Sequence, residues 1–347
     1  MSLVLGQLFY FIPSHAVLEG AGFFMAKKAL ITGITGQDGI YLASFLLEKG
    51  YAVTGLLSEG HSHSKDRLKW MGIEGKVEFR SCQLTDKLQV KAILEEICPE
   101  EIYNLAARSS VGASFVYPGE TMHFNVLSVH SLLEAMRSSG STAKLYQASS
   151  SEMFGNTDKL PVDENTPLCP VSPYAISKAA AHVLVKYYRQ EYQLFCSSGI
   201  LFNHESMLRP HNFVTKKILS AAVKISQGSK EKLKLGNMDV SRDWGYAPYY
   251  VQAMWRILQG PRADDYVIAS GEAHSLEEFV KAVFAYLGLS WEKYVEVDSS
   301  LYRPADIRTM YGNAGKAEKE LGWRYEMTWE KLVETLVKDE IYFQTQL

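Results

Sequence analysis

"TGITGQDG", residues 32–39, is the stretch on which the fold turns. Gly33, Gly36 and Gly39 stand at the spacing G-x-x-G-x-x-G. They follow a short apolar run, "ALITG" (29–33), and precede "YLASFLLEKG" (41–50), whose apolar residues recur at helical spacing. Glycines there let the backbone turn tightly and approach a pyrophosphate, while a helix N-terminus supplies free N–H groups and partial positive charge. The spacing differs by one residue from the common G-x-G-x-x-G pattern, and many turns contain glycines, so the loop alone is a weak signal. Its place at the head of a strand–helix series favours a dinucleotide site over a plain tight turn.

Outward from the loop the pattern is regular. "YAVTGLL" (51–57), "KVEFRSC" (76–82), "EIYNLAA" (101–107), "AKLYQASS" (143–150) and "LFCSSGILF" (194–202) read as strands. "LQVKAILEEI" (88–97), "FNVLSVHSLLEAMRSSG" (124–140) and "SPYAISKAAAHVLVKYYRQEY" (172–192) read as the helices between them, with Gly50 and Gly140 as stops and Pro173 in a first turn. Such alternation predicts an α/β fold with a Rossmann-type, doubly wound parallel sheet. After residue 205 it breaks, leaving helices at "KKILSAAVKISQG" (216–228), "SLEEFVKAVFAYLG" (275–288) and "TWEKLVETLVKDEI" (328–341). We therefore expect a dinucleotide-binding domain over 25–204, with the Asp264–Ser270 strand returning to it. A smaller mixed α/β substrate lobe is expected over 205–347, the site lying in the cleft beyond the carboxyl ends of the strands.

Residues 3–12 are apolar but too few to span a bilayer, and no positive segment precedes them. The expectation is that the fold starts at Met25 and that residues 1–24 are an extension ahead of it. The 347 residues carry 36 Lys+Arg against 39 Asp+Glu, a net charge of −3, which argues against nucleic-acid and membrane partners. Cys82, Cys98, Cys169 and Cys196 form no zinc-like spacing, so no metal site is expected; buried free thiols in a reducing cytoplasm are.

Past the second strand, Ser58 and Glu59 occupy the positions that usually separate NAD from NADP. Glu59 would repel a 2′-phosphate, His61, Lys65 and Arg67 could offset it, and a solvated polar loop is equally compatible. Tyr174 and Lys178, four apart, share a helix face. A lysine ammonium beside a tyrosine favours the phenolate, which could take the proton of a substrate hydroxyl while hydride leaves its carbon. Ser150, in "QASSSEMFG" (147–155), would bond the same hydroxyl. Glu152 adds something oxidoreduction does not need. Beside a carbon oxidised to a ketone a C–H becomes acidic, and a carboxylate can remove that proton. A capping or salt-bridging role for Glu152 fits the spacing equally well.

With "SPYAISK" (172–178), "GILFNHES" (199–206), "LGNMDVSRDWGYA" (235–247) and "YRPADI" (302–307), these segments resemble the GDP-mannose 4,6-dehydratases, members of the extended short-chain dehydrogenase/reductase family. The similarity runs from about Lys27 to about Glu340. It implies a bound NADP and an internal redox cycle. Hydride leaves C4 of the mannose, water is eliminated across C5 and C6, and hydride returns to C6, giving GDP-4-keto-6-deoxy-mannose. It also implies a cytoplasmic homodimer or homotetramer.

By motif, the catalytic residues are Ser150 (where the family has Thr), Glu152, Tyr174 and Lys178. Cofactor contacts fall on Gly33, Ile34, Thr35, Gly36, Gln37, Asp38, Gly39, Ser58, Gln83, Leu84, Ala106, Ala107, Arg108, Ser109, Lys178, His204 and Arg209. Asn203, Lys217, Arg242 and Arg303 match positions that hold the nucleotide sugar. The chain departs from the pattern at Ser58–Glu59, where an arginine pair is usual, so NAD stays open beside NADP. Gln83, Val171, Met207 and Pro210 are further departures, and they leave the sugar nucleotide open. Two other functions stand beside the dehydratase: a nucleotide-sugar C4 reductase or epimerase, which would not need Glu152, and a non-catalytic dinucleotide-binding protein.

Overall fold

A seven-stranded, all-parallel sheet forms the centre of the computed structural model, which describes residues 26–58 and 66–345. The expectations for residues 1–24 and Met25, and for Glu59, His61 and Lys65, lie outside the described residues. Six strands come from the first part of the chain: β1 (Lys28–Thr32), β2 (Ala52–Leu57), β3 (Val77–Ser81), β4 (Glu101–Asn104), β5 (Lys144–Ser150) and β6 (Cys196–Leu201). Four short strands follow, β7 (Asn203–Glu205), β8 (Leu233–Leu235), β9 (Ser241–Arg242) and β10 (Trp244–Tyr246), before β11 (Asp265–Ile268) pairs with β6 at the sheet's edge. Three more complete the chain: β12 (His274–Ser275), β13 (Val295–Val297) and β14 (Thr309–Met310).

The order across the sheet is β11-β6-β5-β4-β1-β2-β3. The chain winds outward from β1 to β3, then crosses back to β4 on the other side of β1. A crevice opens where the winding reverses, at the carboxyl ends of β1 and β4. The doubly wound α/β fold expected from the alternation is the one present.

The helices are α1 (Gln37–Glu48), α2 (Asp66–Trp70), α3 (Lys87–Ile97), α4 (Val111–Val116), α5 (Pro118–Ser139), α6 (Pro173–Glu191), α7 (Val214–Ser226), α8 (Ala247–Gln259), α9 (Leu276–Tyr286), α10 (Gly315–Leu321) and α11 (Trp329–Thr345). Their ends follow the local chemistry. The Asp86 carboxylate accepts from the N–H groups of Leu88 and Gln89 to start α3. Ser172 accepts from Ala175 N–H ahead of Pro173 to start α6. Ser275 and Glu278 form a reciprocal capping box on α9.

Adjacent residues of each strand serve opposite faces. Ile31 and Tyr103 pack on α1 and α8, while Leu30, Ile102 and Leu145 pack on α3, α5 and α6. A separate core joins α7, α9 and α11 through Ile218, Leu219, Phe279, Val283 and Leu336.

The structure departs from the sequence reading at α4, α8 and α10, which that reading did not anticipate, and at α5, which starts at Pro118 rather than near Phe124. The strand–helix alternation therefore continues past residue 205, through α8 and β11. α8 lies on α1, where Phe45 meets Trp255 edge-on at 5.9 Å. The helical stripe of Tyr250, Val251, Met254, Ile257 and Leu258 was obscured by the aromatic, proline-containing start "APYYVQAMW" (247–255). The cysteines also need correction. All four are free thiols, but only Cys82 and Cys196 are buried; Cys98, the left-handed cap of α3, and Cys169 are exposed.

Candidate active site

Two glycines shape the turn after β1. Gly33 has φ of +70°, and a Cβ on it would sit 2.8 Å from the Ala106 amide nitrogen. A Cβ on Gly39 would fall 2.3 Å from the Gly33 carbonyl oxygen and 2.6 Å from Ile34 Cα. The first position needs the left-handed backbone, and the second needs the helix pressed against the turn. Gly36 then leads into α1 with no side chain capping its first N–H groups. Uncapped amides in a shallow backbone cradle are the donor set a diphosphate requires. Ile34 packs on Gly55 of β2, and Thr35 lies at the partly exposed lip.

A chain of buried amide and hydroxyl groups lines the strand ends. The Thr32 hydroxyl donates to Asn104 Oδ1 at 2.6 Å and accepts from the amides of Leu105 and Ala106 at 3.1 Å. Asn104 Nδ2 donates to Gln147 Oε1 at 2.7 Å. The loop 106–109 is thereby held against the glycine turn, with Ala107 between its anchored ends. Asn125 on α5 brackets Arg108, accepting from its N–H at 2.8 Å and donating to its carbonyl at 3.2 Å, and also donates to Ser177 Oγ at 2.9 Å. Leu84 is buried beside this loop, whereas Ser109 and Gln83 are exposed, the Gln83 amide donating to Thr85 Oγ1 at 3.2 Å. Ser58 is exposed just past β2. Asn104, Asn125 and Gln147 escaped the sequence reading; polar residues inside otherwise apolar segments were the available signal.

The candidate catalytic residues converge at the end of β5. Ser150 ends that strand, and its Oγ accepts from Glu152 N–H at 3.3 Å, starting one 3-10 turn that points Glu152 into the crevice. The Ser150 hydroxyl lies close enough to the Tyr174 phenol to favour its ionised form. Lys178, one helical turn past Tyr174, is buried, donates to the Ala148 carbonyl at 2.9 Å, and lies 6.0 Å from the centre of the Tyr174 ring.

The pKa values do not follow the expected direction. Burial, only partly offset by the Ser150 hydroxyl, pushes the Tyr174 phenol up to about 12, and the Glu152 charge adds to the rise. Burial brings Lys178 down to about 8.

Arg242, from β9, reaches the same crevice. Its Nη1 donates to the carbonyls of Ile307 at 2.7 Å and Ser241 at 3.0 Å, and its Nε lies 4.0 Å from Glu152 Oε1. Asp243, next along, is buried and accepts from the N–H groups of Ser270, Gly271 and Gly312 and from the Ser270 hydroxyl. It locks the ends of β11 and β14 around Arg242, and its burial raises its own carboxyl to about 6. A groove of about 540 Å³ is lined by Asn237, Asp239, Val240, Ser275, Asp306 and Arg308.

From the other side come His204 and Arg209. His204 Nε2 lies 2.9 Å from Asp38 Oδ2, and Gln37 Nε2 donates to the His204 carbonyl at 3.0 Å. Arg209 Nε lies 3.1 Å from Glu205 Oε2, and its guanidinium stacks over Phe213 at 3.8 Å. Asn203 opens β7, paired with Trp244. Lys217 is exposed on α7, and Arg303, 40% exposed and 3.7 Å from Asp306 Oδ1, lies close enough for its charge to act on Arg242. Among the described residues no His/Cys/Asp/Glu group is arranged to hold a metal ion.

The model of the family described as GDP-mannose 4,6 dehydratase matches residues 30–336. This chain belongs to the GDP-mannose 4,6-dehydratase family. It is similar to GDP-mannose 4,6 dehydratase 2 of Arabidopsis thaliana, at 47% identity over 91% of this chain and 87% of the relative. The human GDP-mannose 4,6 dehydratase is 40% identical, over 90% of this chain and 91% of that protein. Its Vibrio cholerae counterpart is 38% identical over 91% and 94%. Among solved structures, a dTDP-glucose 4,6-dehydratase from Streptomyces venezuelae superposes with a TM-score of 0.81, covering 92% of this chain and 97% of that one at 21% identity. A UDP-glucose 4-epimerase from Thermus thermophilus, in complex with NAD, gives 0.79 over 92% and 100% at 26% identity.

Proposed function

We propose that the chain is a hydro-lyase that converts GDP-mannose to GDP-4-keto-6-deoxy-mannose with a resident NADP. The supporting observation is the placement of Glu152 at one crevice with Ser150, Tyr174 and Arg242. A C4 reductase or epimerase has no use for a carboxylate there, and a binding-only protein has no use for any of the set.

The glycine turn and the uncapped start of α1 fit a dinucleotide, with Gly33 through Gly39, Ala106 to Ser109 and Arg209 holding it and His204 set behind the turn against Asp38. When bound, that cofactor accepts the C4 hydride and returns it to C6. Tyr174, beside Ser150, takes the proton of the C4 hydroxyl. Lys178, 6.0 Å from the centre of the Tyr174 ring, would supply positive charge to that side of the crevice. With C4 a carbonyl, Glu152 removes the C5 proton, and the resulting acid protonates the departing C6 hydroxyl, so one water leaves and Glu152 is regenerated; C5 then takes a proton from solvent as C6 is reduced, and Tyr174 gives the C4-hydroxyl proton back to solvent. Arg242, with Asn203, Lys217 and Arg303, holds the nucleotide diphosphate; a guanidinium can bind its oxygens in a bidentate fork.

NADP is the family's usual cofactor, and Ser58, exposed just past β2, brings no basic group to a 2′-phosphate, so NAD is the alternative. Cofactor released from the purified protein, weighed by mass spectrometry, decides between NADP and NAD. We assign a homodimer through α5 and α6, whose outer faces expose Leu127, Ile176, Val183 and Tyr187; light scattering separates dimer from tetramer. Four unpaired thiols support a cytoplasmic setting, and no helix among the described residues is long and apolar enough to cross a membrane.

The activity is tested by incubating the protein with GDP-mannose in deuterium oxide. A dehydratase yields the 4-keto-6-deoxy product with deuterium at C5. Unlabelled C5, or a product that keeps its C6 hydroxyl, overturns the assignment.

A further inference from the structure

Asp38 and His204 meet at the mouth of the glycine turn, and their hydrogen bonds define their charge. His204 Nδ1 lies 2.7 Å from the Phe202 carbonyl oxygen, and Nε2 lies 2.9 Å from Asp38 Oδ2. A carbonyl oxygen can only accept, and so can an ionised carboxylate. A neutral imidazole carries one N–H and can serve only one of them. Both contacts are satisfied together when the ring carries two protons and faces the carboxylate as an imidazolium.

The surroundings agree. His204 is buried, and its ring stacks on Tyr250 of α8 with centroids 4.4 Å apart at 19°. Burial alone would lower its pKa, yet the Asp38 charge and hydrogen bond leave it raised, against a smaller opposing effect of Arg209. Asp38 is correspondingly lowered despite its burial. The charged groups facing the pair are accounted for: Arg209 is paired with Glu205, which also accepts from Thr215 Oγ1 at 2.6 Å, and Lys178 donates to Ala148.

The position of Asp38 makes this pair consequential. It is the acidic residue in the first turn of α1, beside the amides that receive an anion. A free carboxylate there would occupy the field of the helix terminus and repel a diphosphate. We propose that His204 is a positioning residue that neutralises Asp38 as a partly buried ion pair, so that the glycine turn accepts the dinucleotide's diphosphate. The proposal rests on the dinucleotide reading of that turn.

The test is binding of NADPH, followed by its fluorescence, to the wild-type chain, Asp38→Asn, His204→Gln and the double variant, with circular dichroism confirming each fold. His204→Gln strands the carboxylate, and the dissociation constant should rise about tenfold or more. In the double variant that charge is gone, and most of the loss should be recovered. A double variant as weak as His204→Gln overturns the proposal, because His204 would then act by direct contact or by packing alone. The wild-type chain gives a second reading that needs no variant. Its affinity should weaken as pH rises above neutrality and the ring loses a proton; a flat profile to pH 9 counts against the pair. A wild-type chain that binds neither NADPH nor NADH overturns the reading of the turn itself, and this proposal with it.

Discussion

Glu152 Oε1 and Arg242 Nε face each other across the crevice at 4.0 Å, one from the turn after β5 and the other from β9. That separation is too long for a hydrogen bond and short enough for strong coupling. The carboxylate is therefore oriented without being consumed. Arg242 spends its Nη1 on two backbone carbonyls, which fixes the guanidinium plane. A lysine has no fork to repeat this. Arg242→Lys should lower kcat/KM by about ten- to a hundredfold, mainly through KM; steady-state kinetics with GDP-mannose measure the split.

Lys178 has its pKa brought down to about 8 by burial. Its ammonium is present below that value and lost above it. If the charge helps Tyr174 give up its proton, kcat should fall as pH rises through about 8. Lys178→Arg, which stays charged, should lose that descending limb whatever its absolute rate. A pH–rate profile of both proteins checks this.

Asp339 on α11 accepts from the Tyr246 hydroxyl at 3.0 Å, and burial raises its carboxyl to about 6. A folded-state pKa above the unfolded one of ~3.9 means that the native state holds the proton more tightly. The associated stability is complete below ~4 and is lost as pH rises through about 6. Near neutrality the ionised group costs on the order of 3 kcal/mol. Asp339→Asn keeps an acceptor for Tyr246 and cannot ionise. It should raise the melting temperature at pH 7 and flatten its decline between pH 5 and pH 7.

Arg189 on α6 pairs with Asp265 at the edge of the sheet through both terminal nitrogens, one at 3.2 Å, and its Nε donates to the Cys196 carbonyl at 2.6 Å. Arg189→Ala leaves a buried carboxylate whose main partner is gone. The loss should be about 3–5 kcal/mol, read by urea denaturation, with no change in the affinity for GDP-mannose.

The parts of the site that are local in sequence were legible, and the parts that are not were invisible. The glycine turn, the Tyr174–Lys178 spacing and the strand alternation each declare themselves within a few residues, because turns and helix faces have short periods. Glu152 could be seen but not assigned, since the partner that distinguishes a crevice residue from a cap, Arg242, comes from a strand of two residues. Asp38 and His204 stand 166 positions apart, and nothing but the fold joins them. α8 was missed because its aromatic start hid a regular apolar stripe. Burial of the Tyr174 phenol and the turn of the Lys178 ammonium to the Ala148 carbonyl are likewise matters of packing that a four-residue spacing does not reveal.

The account stands on Glu152 as the acid–base that turns an oxidised sugar into a dehydrated one. Glu152→Gln keeps the size and the hydrogen bonding of the side chain but cannot take a proton. Conversion of GDP-mannose to the 4-keto-6-deoxy product, followed by mass spectrometry, should then fall by about 10²–10⁴-fold. Product formation by Glu152→Gln at the wild-type rate would contradict it.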